Sequence, residues 1–261
     1  MWQIKISPHP RPVKKALIVL LTSFVLASVG FYVLDESKPP SKPSVINFDG
    51  VEQADALANK LLHAINKPAW DTIRYVQWTH RGTRHSVWDR KNNVAQIKWR
   101  SYRALIDINS AGGVVYEGDI LLTGTESEEQ IAKAIKIFNN DSFWLNAPAK
   151  VFDPGTERSI VDHQGKDALM VTYTYGGSTP GDSYLWILDD DGLPTAFKMW
   201  VSIIPIGGME FSWEGWKEFD GTMISQMHKS SLLNLPLTNI KTGNSLSEIG
   251  LEEELFSELK D

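Results

Sequence analysis

The chain has 261 residues, of which 42% are hydrophobic and 22% charged, a composition that suits one or two folded domains. Its net charge of −6 argues against nucleic acid as the main partner, because phosphate binding depends on clustered cations. Since the chain contains no cysteine, the sequence excludes disulfide bonds, thiolate catalysis, cysteine-ligated zinc and a lipid anchor on an N-terminal cysteine.

The first element in chain order is an uncharged apolar run, Ala16–Leu34, which follows a basic tail at residues 1–15. As a helix, these 19 residues would be roughly 28 Å long, close to the hydrocarbon thickness of a bilayer. The cations of the tail keep the N-terminus in the cytoplasm by the positive-inside rule. We therefore expect a single-pass anchor in the cell membrane, with the domain on the periplasmic or extracellular side. A cleaved signal peptide, with Ser28 and Gly30 before the cut, is the alternative, and it would make the protein secreted.

A linker at residues 35–44 follows, and its three prolines and two lysines favour an extended chain. The charge is divided unevenly around it: residues 1–42 carry a net charge of +4, and the rest of the chain carries −10. We expect the folded domain to occupy residues 45–240.

Two segments of this domain have helical spacing of apolar residues. The first is Glu52–Asn66, and Pro68 ends it. The second is Ser127–Phe138, capped by Thr125 or Ser127 and ended by Asn139-Asn140.

The rest of the domain alternates turn residues with short runs rich in aromatic and β-branched residues, which predicts antiparallel strands. Strands such as Tyr184–Leu188 are apolar on both faces, so we expect covering elements on both sides of the sheet. The predicted fold is α+β and mainly β: a curved antiparallel sheet or incomplete β-barrel with helices covering one face, preceded by one transmembrane helix. The predicted strands are Ile73–His80, His85–Asp89, Val94–Ile108, Val114–Leu122, Arg158–His163, Ala168–Tyr175, Tyr184–Leu188, Ala196–Ile204, Met209–Glu218 and Met223–Lys229.

The C-terminal segment, residues 241–261, is acidic and amphipathic, with five glutamates among its apolar residues. We predict a short helix here. Two roles remain open: the helix packs on its own domain, or it detaches and docks a protein partner. Its apolar residues are Leu246, Ile249, Leu251, Leu255, Phe256 and Leu259.

The order of these elements and two stretches, Asn140–Val161 and Thr172–Trp216, carry a resemblance to a known family. Over residues 50–230 the chain resembles the lipoprotein-localisation (LolA/LolB-like) superfamily and uncharacterised bacterial envelope proteins of that architecture. The resemblance implies a half-barrel whose concave face holds acyl chains beneath helices that act as a lid. The sequence differs from the carriers of that superfamily in its predicted anchor and in its lack of a lipidated cysteine.

The tryptophans are the candidate ligand-binding residues, because indole rings can line a concave apolar surface that accepts lipid tails. A closed, tryptophan-rich core without a ligand is the alternative. Met199 and Trp200 point to opposite faces of a regular strand, so at most one of them faces the ligand. The candidates are Trp78, Trp99, Trp144, Trp186, Trp200, Trp213 and Trp216.

Other chemistry is less well supported, since the sequence has no motif of a known catalytic class and implies no cofactor. His80 and His85 would face each other across a hairpin that turns at Gly82-Thr83 and could bind a divalent metal. A polar hairpin tip, or an arginine–histidine patch that meets anionic headgroups, is the simpler interpretation, and we predict no metal site. Asp189-Asp190-Asp191 is interpreted as a turn. An acidic cluster could serve a hydrolase if its carboxylates share one cleft. Its residues are Asp141, Asp153, Glu157, Arg158, Asp162, His163 and Asp182.

The function that we predict is that of a membrane-tethered extracytoplasmic protein that binds a lipid or another hydrophobic ligand. An envelope hydrolase that uses the acidic cluster is one alternative. A docking protein without a ligand is the other.

Overall fold

Open antiparallel sheets with few helices make up the part of the chain that the computed structural model describes, which is residues 38–39, 48–175, 180–202 and 207–259. The predicted anchor Ala16–Leu34 and almost all of the linker lie outside these residues. No helix within the described ranges is both long and apolar enough to cross a membrane.

The helices are α1 (Phe48–Ala64), α2 (Lys67–Thr72) and α3 (Gly124–Asn146). A buried 3-10 turn, Ala147–Lys150, continues α3. Pro68, which was expected to end the first helix, lies in the first turn of α2. The two helices are separated at Asn66, which adopts a left-handed conformation.

An eight-stranded sheet forms the larger part of the domain, with the strand order β14-β15-β1-β2-β3-β4-β5-β6 and every neighbouring pair antiparallel. Its strands are β1 (Tyr75–His80), β2 (Arg84–Asp89), β3 (Val94–Trp99), β4 (Tyr102–Asp107), β5 (Gly112–Glu117), β6 (Ile120–Leu121), β14 (Met227–Lys229) and β15 (Asn234–Gly243).

A five-stranded antiparallel sheet with the order β11-β10-β9-β8-β7 stands beside it, together with a separate hairpin, β12–β13. Glu214, just after β11, bridges to Met227 of β14 and so joins the two sheets. The strands are β7 (Thr156–His163), β8 (Lys166–Tyr173), β9 (Ser183–Leu188), β10 (Pro194–Trp200), β11 (Met209–Ser212), β12 (Lys217–Phe219) and β13 (Thr222–Ile224).

The larger sheet is covered on both faces. We call the face that carries Trp78 and Ile97 the inner face; α3 packs against it over β3, β4 and β5. The outer face carries Tyr75, Val87 and Leu105, and these residues pack against the C-terminal segment.

That C-terminal segment differs from the prediction in its secondary structure. β15 continues to Gly243, and short 3-10 turns at Ser247–Ile249 and Ser257–Leu259 replace the expected amphipathic helix. Its apolar side chains nevertheless pack against the domain: Leu246, Ile249 and Phe256 are buried, and Leu251, Leu255 and Leu259 are half-buried. The apolar residues have a spacing that suits a helix, but they belong to a segment that lies along a face of the larger sheet and packs against it.

Several predicted boundaries are also wrong. The run Val94–Ile108 is two strands, because Arg100 takes a left-handed conformation at a tight turn. The run Met209–Glu218 is likewise divided between two sheets. Helix α3 passes through Asn139-Asn140 and continues to Asn146, since the burial of Trp144 and Leu145 outweighs the weak helix propensity of asparagine.

Candidate functional site

Aromatic side chains fill the interior between α3 and the two sheets. Strand pairing places Trp186, Phe197 and Phe211 side by side on the inner face of the smaller sheet. Trp144 of α3 stacks on Phe197, with ring centroids 5.4 Å apart, and meets Phe211 edge-on at 4.8 Å. Such pairs stabilise an interior beyond the area that they bury.

The structure brings six of the seven candidate tryptophans into this one interior and separates the seventh. Met199 faces the interior, whereas Trp200 packs on the outer face of the smaller sheet, against Met170 and Leu185. The expectation that at most one of Met199 and Trp200 faces the ligand is therefore consistent with their placement. The six interior residues are Trp78, Trp99, Trp144, Trp186, Trp213 and Trp216.

Five of these six are buried, and Trp216 is half-buried with its indole N–H donating to the carbonyl oxygen of Pro194. Among these six residues, the buried indole nitrogens of Trp78, Trp99 and Trp213 have no hydrogen-bond partner in the described part of the chain. An unsatisfied buried donor typically costs about 1–3 kcal/mol. Whether these residues bind a ligand stays a prediction.

A group of buried polar side chains anchors the C-terminal half of α3. Arg84 of β2 donates through Nη2 to Oδ1 of Asp141 at 2.6 Å and to Nδ1 of His80 at 2.6 Å. Asn140 donates to the same Asp141 oxygen at 2.8 Å. Because the guanidinium is always a donor, His80 must accept at Nδ1, which leaves its proton on Nε2. We call Arg84, Asp141 and His80 the buried polar group.

Burial and the neighbouring cations together set the ionisation of this group. Burial raises the pKa of Asp141 to about 6, although Arg84 opposes the shift. Burial, with Arg84 and Arg81 adding to it, lowers the pKa of His80 to about 3. At neutral pH the group is therefore a neutral imidazole beside an ion pair of Arg84 and Asp141.

His228 of β14 lies close to the buried polar group and extends it into the aromatic interior. Its ring is 4.2 Å from that of Trp213 and 5.2 Å from that of Trp144, centroid to centroid. Burial lowers the pKa of His228 to about 4, even though the backbone carbonyl groups of Trp144 and Ser212 favour its protonated form. A second neutral imidazole thus stands among the rings.

The interpretation of His80 and His85 as a facing pair is wrong. The strand register places His80 opposite Arg84 and His85 opposite Thr79. His80 consequently points into the interior, while His85 is exposed on the other face and bonds Thr79. Within the described ranges no group of three or more metal-ligating side chains is placed to hold a metal ion.

The acidic residues do not share one cleft. Asp162 and Asp182 stand at opposite ends of the smaller sheet. Asp153 pairs with Lys150, and Arg158 pairs with Asp55 of α1. Each of the other members has a different setting: Asp141 belongs to the buried polar group, Asp182 accepts from the backbone N–H of Ser202, and Glu157 and His163 lie in β7.

The buried polar group itself was missed at the level of sequence, where Asp141 was assigned to the acidic cluster. A signal was present. Phe138, Asp141, Trp144 and Leu145 continue the helical spacing of the apolar stripe, which places the carboxylate on the buried side. The turn at Asp189-Asp190-Asp191 is confirmed, since Asp189 accepts from the backbone N–H groups of Asp191 and Leu193.

A cleft of about 240 Å³, including its open mouth, lies where the end of α3 meets the β12–β13 hairpin. Asn146 is buried in its wall, and its side-chain oxygen has no hydrogen-bond partner among the described residues. The other walls are apolar. They are formed by Ile65, Trp70, Leu145, Pro148, Ala149, Trp216, Met223 and Ile224, with Thr222.

Comparison with known proteins finds a distant structural neighbour. It is a DUF1329 family protein from Desulfovibrio piger ATCC 29098, 10% identical in sequence, and the match covers 79% of this chain and 97% of that chain with a TM-score of 0.41. No protein-family model matches the chain, and no curated protein matches it. The resemblance to the lipoprotein-localisation superfamily therefore stays a prediction.

Proposed function

We propose that the protein is a membrane-tethered extracytoplasmic binding protein that holds a lipid or another hydrophobic ligand between α3 and the inner faces of its two sheets. The observation that carries this proposal is the continuous aromatic interior, which α3 covers over β3, β4 and β5 of the larger sheet. A long apolar ligand would exchange ring–helix contacts for ring–ligand contacts of the same kind.

The N-terminal half of α3 is the part that can move. From Gly124 to Lys133 no side chain of the helix is buried. The N-cap is Thr123, not Thr125 or Ser127 as predicted, and its side chain makes no capping hydrogen bond. The chain turns into the helix through Gly124, whose φ of 63° suits glycine. Uncapped, exposed helix ends open at low free-energy cost. This half can therefore act as a lid while the buried polar group holds the other half.

Quenching of tryptophan fluorescence tests the proposal. The full chain, in a nonionic detergent, is titrated with dibrominated stearate, and bromine-free stearate serves as the blank. Bromine quenches only indoles that it touches, so a ligand in the interior should quench emission from Trp213. Replacing that residue, Trp213→Phe, should reduce the quenched fraction.

Trp200→Phe is the matched control, because Trp200 lies on the outer face of the same sheet. The quenched fraction of this variant should equal that of the unmodified chain. Equal quenching in both variants would place the bromine in the micelle and not in the interior. Absence of bromine-dependent quenching would likewise contradict the proposal.

A further inference from the structure

Strand pairing defines two ends of the domain, and one of them differs from the other in its surface. The turns between β1 and β2, between β3 and β4 and between β14 and β15 lie at one end of the larger sheet, which we call the tether end. His80, Arg84 and Trp99 stand in one row across the strands next to these turns, and Leu237 of β15 pairs with His80 in the same row.

The smaller sheet shares this end. Glu214 pairs antiparallel with Met227, and the backbone N–H of Lys229 donates to Oγ of Ser212, so β11 begins at the tether end. Its pairing with β10, and the pairing of β10 with β9 and of β9 with β8, then place Trp200 and Tyr173 at the tether end as well.

The large hydrophobic side chains that are exposed in the described residues all occur at this end. Leu232 is 73% exposed, Ile120 71% and Tyr175 62%. Each of the three belongs to a different turn: Leu232 lies between β14 and β15, Ile120 directly follows the turn after β5, and Tyr175 follows β8. The turns of the opposite end, such as Asp189–Leu193, contribute none within the described part of the chain. The complete set is Val51, Ile120, Leu121, Phe152, Tyr175, Leu232 and Leu233.

The chain also enters the domain at the tether end. Asp55, in the second turn of α1, pairs with Arg158 near the start of β7, which is at that end. Lys60, further along α1, reaches the carbonyl oxygen of Asp190 at the opposite end. The first residue of α1, Phe48, therefore lies at the tether end, and the predicted anchor Ala16–Leu34 precedes it in the sequence.

We infer that the tether end is a membrane-contact surface whose exposed apolar side chains enter the interfacial layer of a lipid bilayer. The predicted anchor would hold that end toward the bilayer, and tyrosine is favoured at the interface between headgroups and acyl chains. Arg81 and Arg100 are exposed in two of the turns and can meet anionic headgroups, while Glu117 and Asp119 are exposed at a third turn.

The arrangement of these side chains favours a bilayer over a protein partner. A protein interface has a contiguous, closely packed apolar centre. Here the apolar side chains stand singly or in pairs on tips that belong to different turns of both sheets. A fluid, flat surface can receive all the tips at once. The inference does not depend on a ligand in the aromatic interior.

Spin labels on single cysteines test the inference, and the absence of native cysteine makes each label unique. The full chain is reconstituted in vesicles that contain an anionic phospholipid, recovered by flotation, and labelled at Leu232→Cys, Ile120→Cys or Tyr175→Cys. Asp190→Cys is the matched control, because that side chain is fully exposed at the opposite end. Collision rates with a water-soluble nickel chelate and with oxygen are measured.

At the tether end we expect several-fold fewer nickel collisions and more oxygen collisions than at Asp190→Cys, corresponding to a depth of about 5–10 Å in the interface. Nickel and oxygen collisions that both fall would indicate contact with another protein and overturn the inference. Collision rates equal to those of Asp190→Cys, or a chain that does not float with the vesicles, would overturn it too. The fluorescence experiment on Trp213 is unaffected by any of these outcomes.

Discussion

The two halves of α3 differ from each other in how deeply their side chains are buried. The N-terminal half rests on the larger sheet through half-buried side chains such as Ile131, and Lys133 lies 6.0 Å from the ring centroids of Trp99 and Tyr102. The C-terminal half buries Phe138 and Trp144 together with the Asp141 carboxylate. One continuous helix therefore combines a loosely held end with an anchored end.

This difference shows how a single helix can serve as both core and lid. Apolar burial fixes the second half in place, and the ion pair of Arg84 with Asp141 fixes its position along the sheet. Free energy of local opening varies along a structure with the number of buried contacts. If burial decides stability here, substitutions in the two halves should differ in their effect on unfolding.

Trp144→Ala should produce the largest effect, because it removes a ring from the centre of the aromatic interior. Truncation of a buried tryptophan costs about 3–5 kcal/mol. Ile131→Ala, in the other half of the same helix, is the matched control and should cost distinctly less, since Ile131 is only half-buried. Urea unfolding of both variants measures the difference. Equal losses would show that the two halves are held equally firmly.

Asp141→Asn should come next, because the amide keeps the shape of the carboxylate but removes the charge that faces Arg84. A hydrogen bond to a charged group contributes about 1.5–3 kcal/mol. The 28% exposure of the Arg84 side chain, together with the cost of burying the carboxylate that raises the pKa of Asp141, favours the lower part of that range. Urea unfolding at pH 7.5 or so measures the loss. Asp153→Asn, which removes an exposed pair with Lys150, is the control and should change stability by less than about 1 kcal/mol.

The regular part of the fold was open to prediction from sequence, while the anchored half of α3 was not. Alternation of apolar residues predicts most strands, because a residue's face follows from its position in a strand. Asp141 was misassigned because its partner, Arg84, lies 57 residues away in the chain. Sequence periodicity does not show which distant residues will pair. The stripe Phe138, Asp141, Trp144 indicated burial of the carboxylate but not what would balance its charge.

The C-terminal segment shows the same limit from another side. The apolar spacing of Leu246, Ile249 and Phe256 predicts a helix, yet the residues lie on short 3-10 turns against the outer face of the larger sheet. A neighbouring sheet face can bury these apolar side chains although the segment that carries them is not a helix. Tertiary contact therefore overrides local propensity where a chain lies on a sheet.

Acid should weaken the anchored half through its histidines. The pKa values of His80 and His228 fall from 6.5 to about 3 and about 4, so their contribution to stability is complete above pH 6.5 and is lost as the pH falls toward those values. The raised pKa of Asp141 acts in the opposite direction, and its contribution is lost as the pH rises through about 6. As the pH falls, two histidines lose their stabilising contribution and one aspartate gains its own. We therefore predict a net fall in the free energy of unfolding below pH 6.5.

His228→Phe keeps an aromatic ring beside Trp213 and Trp144 and should make this fall shallower. Urea unfolding at a series of pH values between 7 and 4 measures the slope. The exposed His63 in α1 provides the control, and His63→Gln should leave the slope unchanged. A slope that is the same in all three proteins would show that His228 has an ordinary pKa in the folded state.

Amide hydrogen exchange should resolve the smallest difference, the one between the two halves of α3 in the unmodified chain. The first four amides of any helix lack an intrahelical acceptor, so the comparison begins at Glu128. We expect the amides from Glu128 to Lys133 to open at a free energy well below that of global unfolding, and those from Phe138 to Asn146 to open close to it. Ile131→Ala should lower the protection of the first group only, because the buried side chains of the second group hold that half independently.

If protection is uniform along the helix, α3 opens as one unit. A ligand could then enter the aromatic interior only when Trp144 and the buried polar group also leave their positions, and the lid would cost nearly as much to open as the whole domain costs to unfold.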